Sequence, residues 1–465
     1  MKITKLIALT LTVLSYTATQ AQQVYSLSVA DAVNLAFKNV ISLKNLELDY
    51  KIQAQVNKQI EAGVYPKISA DAGLNKYLAL PQFLFPDASA TAIYSILKEE
   101  GVRDGTGQPI VKEVPVRFQK VSFQQPWNAN AGITLNQLLF QPDVFVGLKA
   151  RAAALDFGKM NIEVEKEKIR EQAYKQYYAV LIAQQQLLYV TESITRVEKL
   201  KNDVEQLYKS GFREKLDIDK VQVPLNNLIT TQNLLSNAIM LNLASLKFAI
   251  GVPQADSIIL TDVLTPETLK RDLPNPATFN YNNRVEIQLL ATARKLQTLD
   301  LQRQKLSNLP TLAGFINYQA QGQGQKFITN PNTFWLRTSL VGLQLSVPIF
   351  NGFLRKHKVN EAAYKLAKVD NSIAQIKQVI DLEQTLNKNI FTNALLNITI
   401  QERNLALANS IYNSTKKKYE QGLAASFELL QDQNNITDAQ SKYFDALYQA
   451  TVAKISYQRA LGQLK

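Results

Sequence analysis

The side chains that most often carry chemistry are scarce in this chain. Among 465 residues there is one histidine, His357, set in the run Leu354-Arg355-Lys356-His357-Lys358. A lone imidazole among like charges suits neither general acid–base catalysis nor a multi-histidine metal site. There is no cysteine, which removes thiol nucleophiles, disulfides and lipid attachment through sulfur. Gly322-Gln323-Gly324 lacks the Gly-Lys-Ser/Thr ending of a phosphate-binding loop. Asp217 and Asp219 stand two apart without the further acids and glycine of a calcium loop. The acids that do recur in a pattern are Asp217 and Glu428. Each follows a glycine, Gly211 or Gly422, by six residues, and each glycine follows a tyrosine, Tyr208 or Tyr419, by three. These residues point away from an enzyme, and no cofactor motif accompanies them.

The elements that must hold those acids belong to an ordered, exported chain. A composition of 46% hydrophobic and 20% charged residues excludes a disordered protein. Lys2 and Lys5, the apolar run Leu6 to Leu14, and Thr19-Gln20-Ala21 read as a secretory signal over residues 1–21, leaving Gln22 as the mature terminus. The formal net charge is +13, two units of it from Lys2 and Lys5. No basic cluster exceeds Lys416-Lys417-Lys418 and no aromatic–basic motif accompanies it, so nucleic acid is not an expected partner. A mixed-charge helical surface near anionic lipid headgroups accounts for the basicity. No later run reaches the ~18 consecutive apolar residues of a spanning helix.

The chain says everything twice, which divides it into a first copy, residues 22–260, and a second, 261–465. The segment from Asn39 matches the segment from Asn283, pairing Pro66 with Pro310. AGITLNQLLFQPDVF matches VGLQLSVPIFNGF, YKSGF matches YEQGL, and the copies close alike at Gly251 and Gly462. The first copy carries a longer insertion, about Pro81 to Trp127. Each copy reads helix, strand, loop, strand, long helix, turn, long helix. From about Asp143 to Tyr208 nothing breaks the helical pattern, which at 1.5 Å per residue is about 100 Å. Ile436, Ala439, Tyr443, Ala446, Ala450, Ala453 and Tyr457 step by three and four, as do Leu225, Leu228, Gln232, Leu235, Ile239, Asn242 and Leu246. Such seams want a partner helix. Pro224 is expected to kink its helix or to sit in its first turns.

Four runs alternate like strands: Ile68 to Leu74, Ala129 to Leu135, Leu312 to Tyr318 and Val341 to Val347. Each is long enough to cross a membrane at a tilt with one apolar face. Four strands cannot close a barrel, since the smallest membrane barrels need about eight, and open edges in hydrocarbon leave backbone groups unsatisfied. The chain is therefore expected to oligomerise, as a dimer of eight strands or a trimer of twelve. The fold class expected is mostly α with a membrane β-barrel. Its competitor is a secreted, soluble helical scaffold without a pore, which has no use for four amphipathic strands of membrane length.

In the order and duplication of YSLSVADAVNLAFKN, Pro66 and Pro310, VPIFNGF and YEQGLAASFELLQDQNNITDAQ, the mature chain resembles the TolC-like outer-membrane efflux proteins. The resemblance implies a homotrimer whose shared twelve-stranded barrel in outer-membrane lipid is continued by a trimeric α-helical tunnel of long antiparallel hairpins in the periplasm. It implies a duct of a tripartite efflux or type I secretion system, served by a periplasmic adaptor (membrane fusion) protein and, through it, an inner-membrane pump. It places adaptor contacts at the hairpin turns, here Gly211 with Phe212 and Gly422 with Leu423. It also places a pore gate just beyond them, at Asp217 and Glu428, with Tyr419 and Arg213 as linking residues. Where the family has a second acid three residues further on, this chain has Gln431, and the family's arginine position is Ala424, with Arg213 in the equivalent place of the first copy.

Overall fold

The computed structural model describes residues 23–112, 115–271, 273–327 and 329–464; the signal segment 1–21 lies outside the described residues. The chain forms two compact units. One contains residues up to Asn57, Lys149–Leu301 and Asn360 onward, and the other Lys58–Leu148 and Gln302–Val359. Each unit therefore takes elements from both halves of the sequence.

In the first unit, β1 (Val24–Leu27) pairs in parallel with β6 (Ser257–Leu260). Helix α1 (Val29–Asn39) starts at a capping box in which Asp31 N–H donates to Ser28 Oγ and Ser28 N–H donates to Asp31 Oδ2, both at 3.2 Å. The mass of the unit lies in four long helices: α4 (Pro142–Lys209), α5 (Lys215–Ile250), α8 (Leu354–Glu420) and α9 (Ser426–Ala460). The first and third run 68 and 67 residues and the other two 36 and 35, so the two halves repeat in length as well as in order. The expected seams are where these helices bury themselves. Ile436, Ala439, Ala446, Ala450, Ala453 and Tyr457 of α9 are buried, as are Leu225, Leu228 and Leu246 of α5. One core gathers Tyr177, Leu246, Ile250, Ile398 and Phe444, where Tyr177 O–H donates to the carbonyl of Leu27 at 2.9 Å. A second gathers Val197, Leu200, Leu225, Tyr412, Leu430 and Ile436.

Pro224 lies inside α5 without ending it. By length and composition α5 is apolar enough to cross a membrane, although its apolar residues are not consecutive. Asn226, Asn227, Gln232 and Asn233 interrupt them.

The two copies close through the same backbone contact. Gly251 and Gly462 have φ of 70° and 66°. A Cβ on Gly251 would lie 2.8 Å from Asn39, and one on Gly462 2.8 Å from Asn283, the residue matching Asn39 in the second copy. Both glycines are required for space as well as for φ. Beside Asn283 the copies diverge, because Arg284 stands where the first copy has Val40. Its buried guanidinium donates to Glu286, Glu383 and the carbonyl of Ala460. Arg459 then bridges Glu286 to Glu171.

In the second unit, β2 (Lys67–Lys76), β5 (Trp127–Phe140), β7 (Thr311–Gly324) and β8 (Phe334–Ser346) form one antiparallel sheet in the order β2-β5-β7-β8. The register lines up the apolar alternants of all four strands: Ile68 opposes Leu135, Leu135 opposes Ile316, and Ile316 opposes Val341. The next row, Ser69, Thr134, Asn317 and Leu340, points to the other face, where Asn317 Nδ2 donates to Thr134 Oγ1 at 2.8 Å. Asp71, Gly132, Gln319 and Thr338 continue that face. One face is thus largely apolar and the other largely polar, a consequence of the period-two alternation. The aromatic rings of Trp335 and Phe315 lie over Gly322 and Gly342 on the neighbouring strand. The insertion has structure of its own, a hairpin of β3 (Phe83–Asp87) and β4 (Arg117–Val121) with a helix α3 (Ser89–Glu99) between them. That hairpin, and the β1–β6 pair, were not among the strands expected from alternation, because runs of four or five residues carry too little of it.

Candidate functional site at the hairpin turns

The two turns are built alike, atom by atom. Helix α4 ends with Phe212 N–H donating to the carbonyl of Leu207 and Gly211 N–H to that of Tyr208, both at 2.9 Å. Helix α8 ends with Leu423 N–H donating to Lys418 O at 2.8 Å and Gly422 N–H to Tyr419 O at 2.9 Å. These are Schellman closures, and they put Gly211 and Gly422 at φ of 80° and 76°. A Cβ at either would meet nothing within 4 Å, so glycine is needed here for φ alone. The residue after each glycine is thrust outward: Phe212 is 78% exposed and Leu423 74%. Leu216 and Phe427 are exposed close by, so each turn ends in a pair of uncovered apolar side chains.

Behind the turns sit the acids. Asp217 lies in the first turn of α5 and Glu428 in the first turn of α9, where the amide dipoles favour negative charge. Asp217 is half-buried, with Arg213 Nη1 at 4.0 Å and Lys220 Nζ at 3.9 Å from its carboxylate. At those separations and exposures the pairs are weak. Glu428 is exposed. Tyr419 is half-buried, and its hydroxyl is out of contact with solvent without a hydrogen-bond partner, so it is not bonded to Asp217. Burial pushes the Tyr419 phenol above its ordinary range; the charge of Asp203 adds to this and that of Arg213 opposes it. The fold therefore brings Tyr419 of the second hairpin within electrostatic reach of Arg213 of the first. Glu428 and Asp217 remain on separate helices. Ala424, at the family's arginine position, is buried.

Sequence reasoning missed the polar layer above the turns. Arg196 Nε donates to Gln433 Oε1 at 2.9 Å, its Nη2 to Ser193 Oγ at 3.0 Å, and its guanidinium lies 5.8 Å from the ring of Tyr412. One signal was available: Gln433 stands three residues before Ile436, at the position that extends the α9 seam. A polar residue at a seam position needs a partner.

Residues 286–463 match the family model described as outer membrane efflux protein. No curated protein matches the chain in sequence. Solved structures match it in fold. The CmeC outer membrane channel of Campylobacter jejuni superposes with a TM-score of 0.70 at 13% identity, over 94% of this chain and 85% of that one. The outer membrane protein VceC of Vibrio cholerae gives 0.68 at 12% identity over 93% and 96%. The open-state MtrE outer membrane channel of Neisseria gonorrhoeae gives 0.67 at 12% over 94% and 89%. The two lines of comparison meet on the same architecture, one through the second copy's sequence and the other through the fold of nearly the whole chain. The second copy thus carries an outer membrane efflux protein domain over residues 286–463, and nearly the whole chain has the fold of these outer membrane channels.

Proposed function

We propose that three copies of this chain form a passive export duct, with residues 22–260 and 261–465 as two copies of one structural unit in each protomer. Each protomer contributes four strands to a twelve-stranded barrel in outer-membrane lipid and two helical hairpins to a periplasmic tunnel. The duct receives its cargo from an inner-membrane pump through a periplasmic adaptor. Phe212 and Leu423, lifted by Gly211 and Gly422, are the apolar contacts for the adaptor. Three Glu428 carboxylates, with Asp217, Arg213 and Tyr419 behind them, line the gate.

The observation that carries this reading is the sheet β2-β5-β7-β8, apolar on one face and polar on the other, whose outer strands β2 and β8 each pair on one side only. Such edges are tolerable in hydrocarbon only when a neighbouring copy pairs with them. An apolar face toward lipid and a polar face toward a wet lumen is the division a membrane barrel needs. Light scattering of the purified protein in mild detergent tests the assembly. A trimer is expected, and a stable folded monomer would overturn the duct.

A further inference from the structure

The polar face of the sheet β2-β5-β7-β8 changes character toward the strand ends remote from the long helices. On β7 the period-two alternation puts Asn317, Gln319, Gln321 and Gln323 on that face in succession. Asn130 and Asn128 of β5 stand opposite the last two, and Phe334 of β8 opposes Gln323 from the other side. Carboxamides rather than charges make this stretch polar.

The row ends in a pocket of about 490 Å³, within the range of roughly 300–1,000 Å³ usual for small-molecule sites. Its walls come from three stretches of chain: Gln125 before β5, Gln323 and Gln325 at and after the end of β7, and Asn330 and Asn332 before β8. Each carboxamide offers N–H donors and a carbonyl acceptor together. Asn330 Oδ1 accepts from Asn332 N–H at 3.0 Å. The side chains of Gln125, Gln323, Gln325 and Asn332 bond to no other described residue. Thr333 adds a hydroxyl whose oxygen is out of contact with water and unpartnered among the described residues, as is Oε1 of Gln124, the chain neighbour of Gln125. The bonding capacity of these walls is therefore largely unspent. Among the described residues Lys326 is the only charged group in the lining, and no carboxylate joins it. Phe334, 66% exposed, supplies a flat apolar surface.

That donor set selects among ligands. A hard metal ion or a cationic ligand wants carboxylates, a phosphate wants more than one cation, and a lipophilic molecule would leave the carboxamides without partners. A sugar matches the walls. Its hydroxyls donate and accept at once, as carboxamides do, and one face of a pyranose ring is made of C–H groups that lie flat on an aromatic ring. We propose that this pocket is a saccharide-binding site, in which Gln323, Gln325 and Asn332 bond sugar hydroxyls, Phe334 packs under the ring, and Lys326 admits an acidic sugar. Only its placement at the outer mouth rests on the duct reading; the binding itself does not.

The purified protein, in a detergent without a sugar headgroup, is titrated with two probes: maltohexaose, and the core oligosaccharide released by mild acid from outer-membrane lipopolysaccharide. Saturation-transfer NMR reads the binding, and transfer to at least one probe is expected. Gln323→Ala combined with Asn332→Ala should weaken binding by about tenfold, the loss of two hydrogen bonds, and Phe334→Ala should weaken it too. Gln325→Ala samples the same pocket should the double variant impair assembly. Gln319→Ala, on the same face further down β7, should bind as the unmodified protein does. Transfer to maltohexaose alone assigns a free saccharide, to the core oligosaccharide alone a surface glycan, and to both their shared chemistry; each supports the site. Transfer to neither probe, or binding that the pocket variants leave unchanged, overturns it. Light scattering of the same samples reads the duct separately: a monomer that still binds sugar overturns the trimer and keeps the pocket.

Discussion

Arg284 and Glu383 are joined by a forked contact in which both terminal nitrogens of a guanidinium only 1% exposed donate to one carboxylate oxygen at 3.0 Å. Glu286 takes the other side of the same guanidinium at 3.0 and 3.1 Å. Removing one member of a buried ion cluster leaves the others charged and unpaired, which costs about 3 kcal/mol or more. Arg284→Met should therefore lower the apparent melting temperature of the assembled protein by several degrees. Arg294→Met, which breaks an exposed pair with Asp370, should cost less than about 1 kcal/mol. Equal effects in thermal melts would show that burial does not strengthen the Arg284 cluster.

Two carboxyls beside that arginine respond to pH with opposite sign. Burial works against the charged form of Glu286, but the hydrogen bonds and charge of Arg284 outweigh it and hold its carboxyl below the usual range. Its contribution is present above the unfolded value of about 4.3 and is lost as pH falls through the lower folded value. Glu167 is pushed up, by burial first and then by the charge of Glu286, against the pull of Arg284, Arg459 and Arg170. Its contribution is complete below the unfolded value and is lost as pH rises through the higher folded one. At pH 7, Glu167→Gln should raise the melting temperature and Glu286→Gln should lower it. Both differences should shrink near pH 4, and melts at the two pH values check this. Shifts independent of pH would mean that neither carboxyl is coupled to the cluster.

Glycine to alanine changes should separate the left-handed glycines at the two turns from those at the ends of the two copies. Gly211 and Gly422 have open space around a new Cβ, so alanine there costs only the backbone term, about 1 kcal/mol. Gly251 and Gly462 press on Asn39 and Asn283 at 2.8 Å, so alanine must also move backbone. Folding yield and melting temperature should fall far more for Gly251→Ala and Gly462→Ala than for the turn variants. The reverse order would contradict the close approach of the two copies' first and last segments.

At the proposed gate, Glu428→Gln should lower cation selectivity in planar-bilayer recordings and weaken block by multivalent cations, with trimer yield unchanged. Asp217→Asn should alter selectivity less, and should open the turns more often only if the 4.0 Å contact with Arg213 helps to hold them closed. Tyr419→Phe should leave monomer packing intact, since the hydroxyl bonds nothing among the described residues, and should change opening only if its partner lies in a neighbouring copy. Unaltered conductance, selectivity and block in the Glu428 and Asp217 variants would reduce these acids to helix surface.

The insertion joins the ends of β2 and β5 that lie away from the helix-linked ends of those strands, so the proposed duct puts residues 81–127 outside the cell. A protease site placed in the tight turn at Asp104 to Gly107, where Asp104 Oδ1 accepts from Thr106 and Gln108 N–H, should be cut on whole cells. A short Gly/Ser replacement of the segment should leave trimers intact. Cleavage only after lysis would reverse the topology.

The repeat, the long helices, the two turns and the four amphipathic strands were written in the sequence because each rests on a local rule. Period two makes a half-buried strand, three–four spacing makes a seam, and a glycine three residues past a tyrosine closes α4 and α8. Because those rules act on neighbours along the chain, they survive without any knowledge of what packs where. What only the tertiary structure decided is which distant residues share an environment. Arg284 looks like one more surface arginine until Glu286, Glu383 and Ala460 enclose it. Arg196 gains meaning from Gln433 and Tyr412, and Tyr419 from the absence of any partner for its hydroxyl. Helix α5 carries apolar residues on its exposed face, at Val223, Leu234 and Leu241, as well as on its buried one, and spacing alone does not say which of two faces is covered. Burial settles that, and burial is a property of the packed chain rather than of any segment in it.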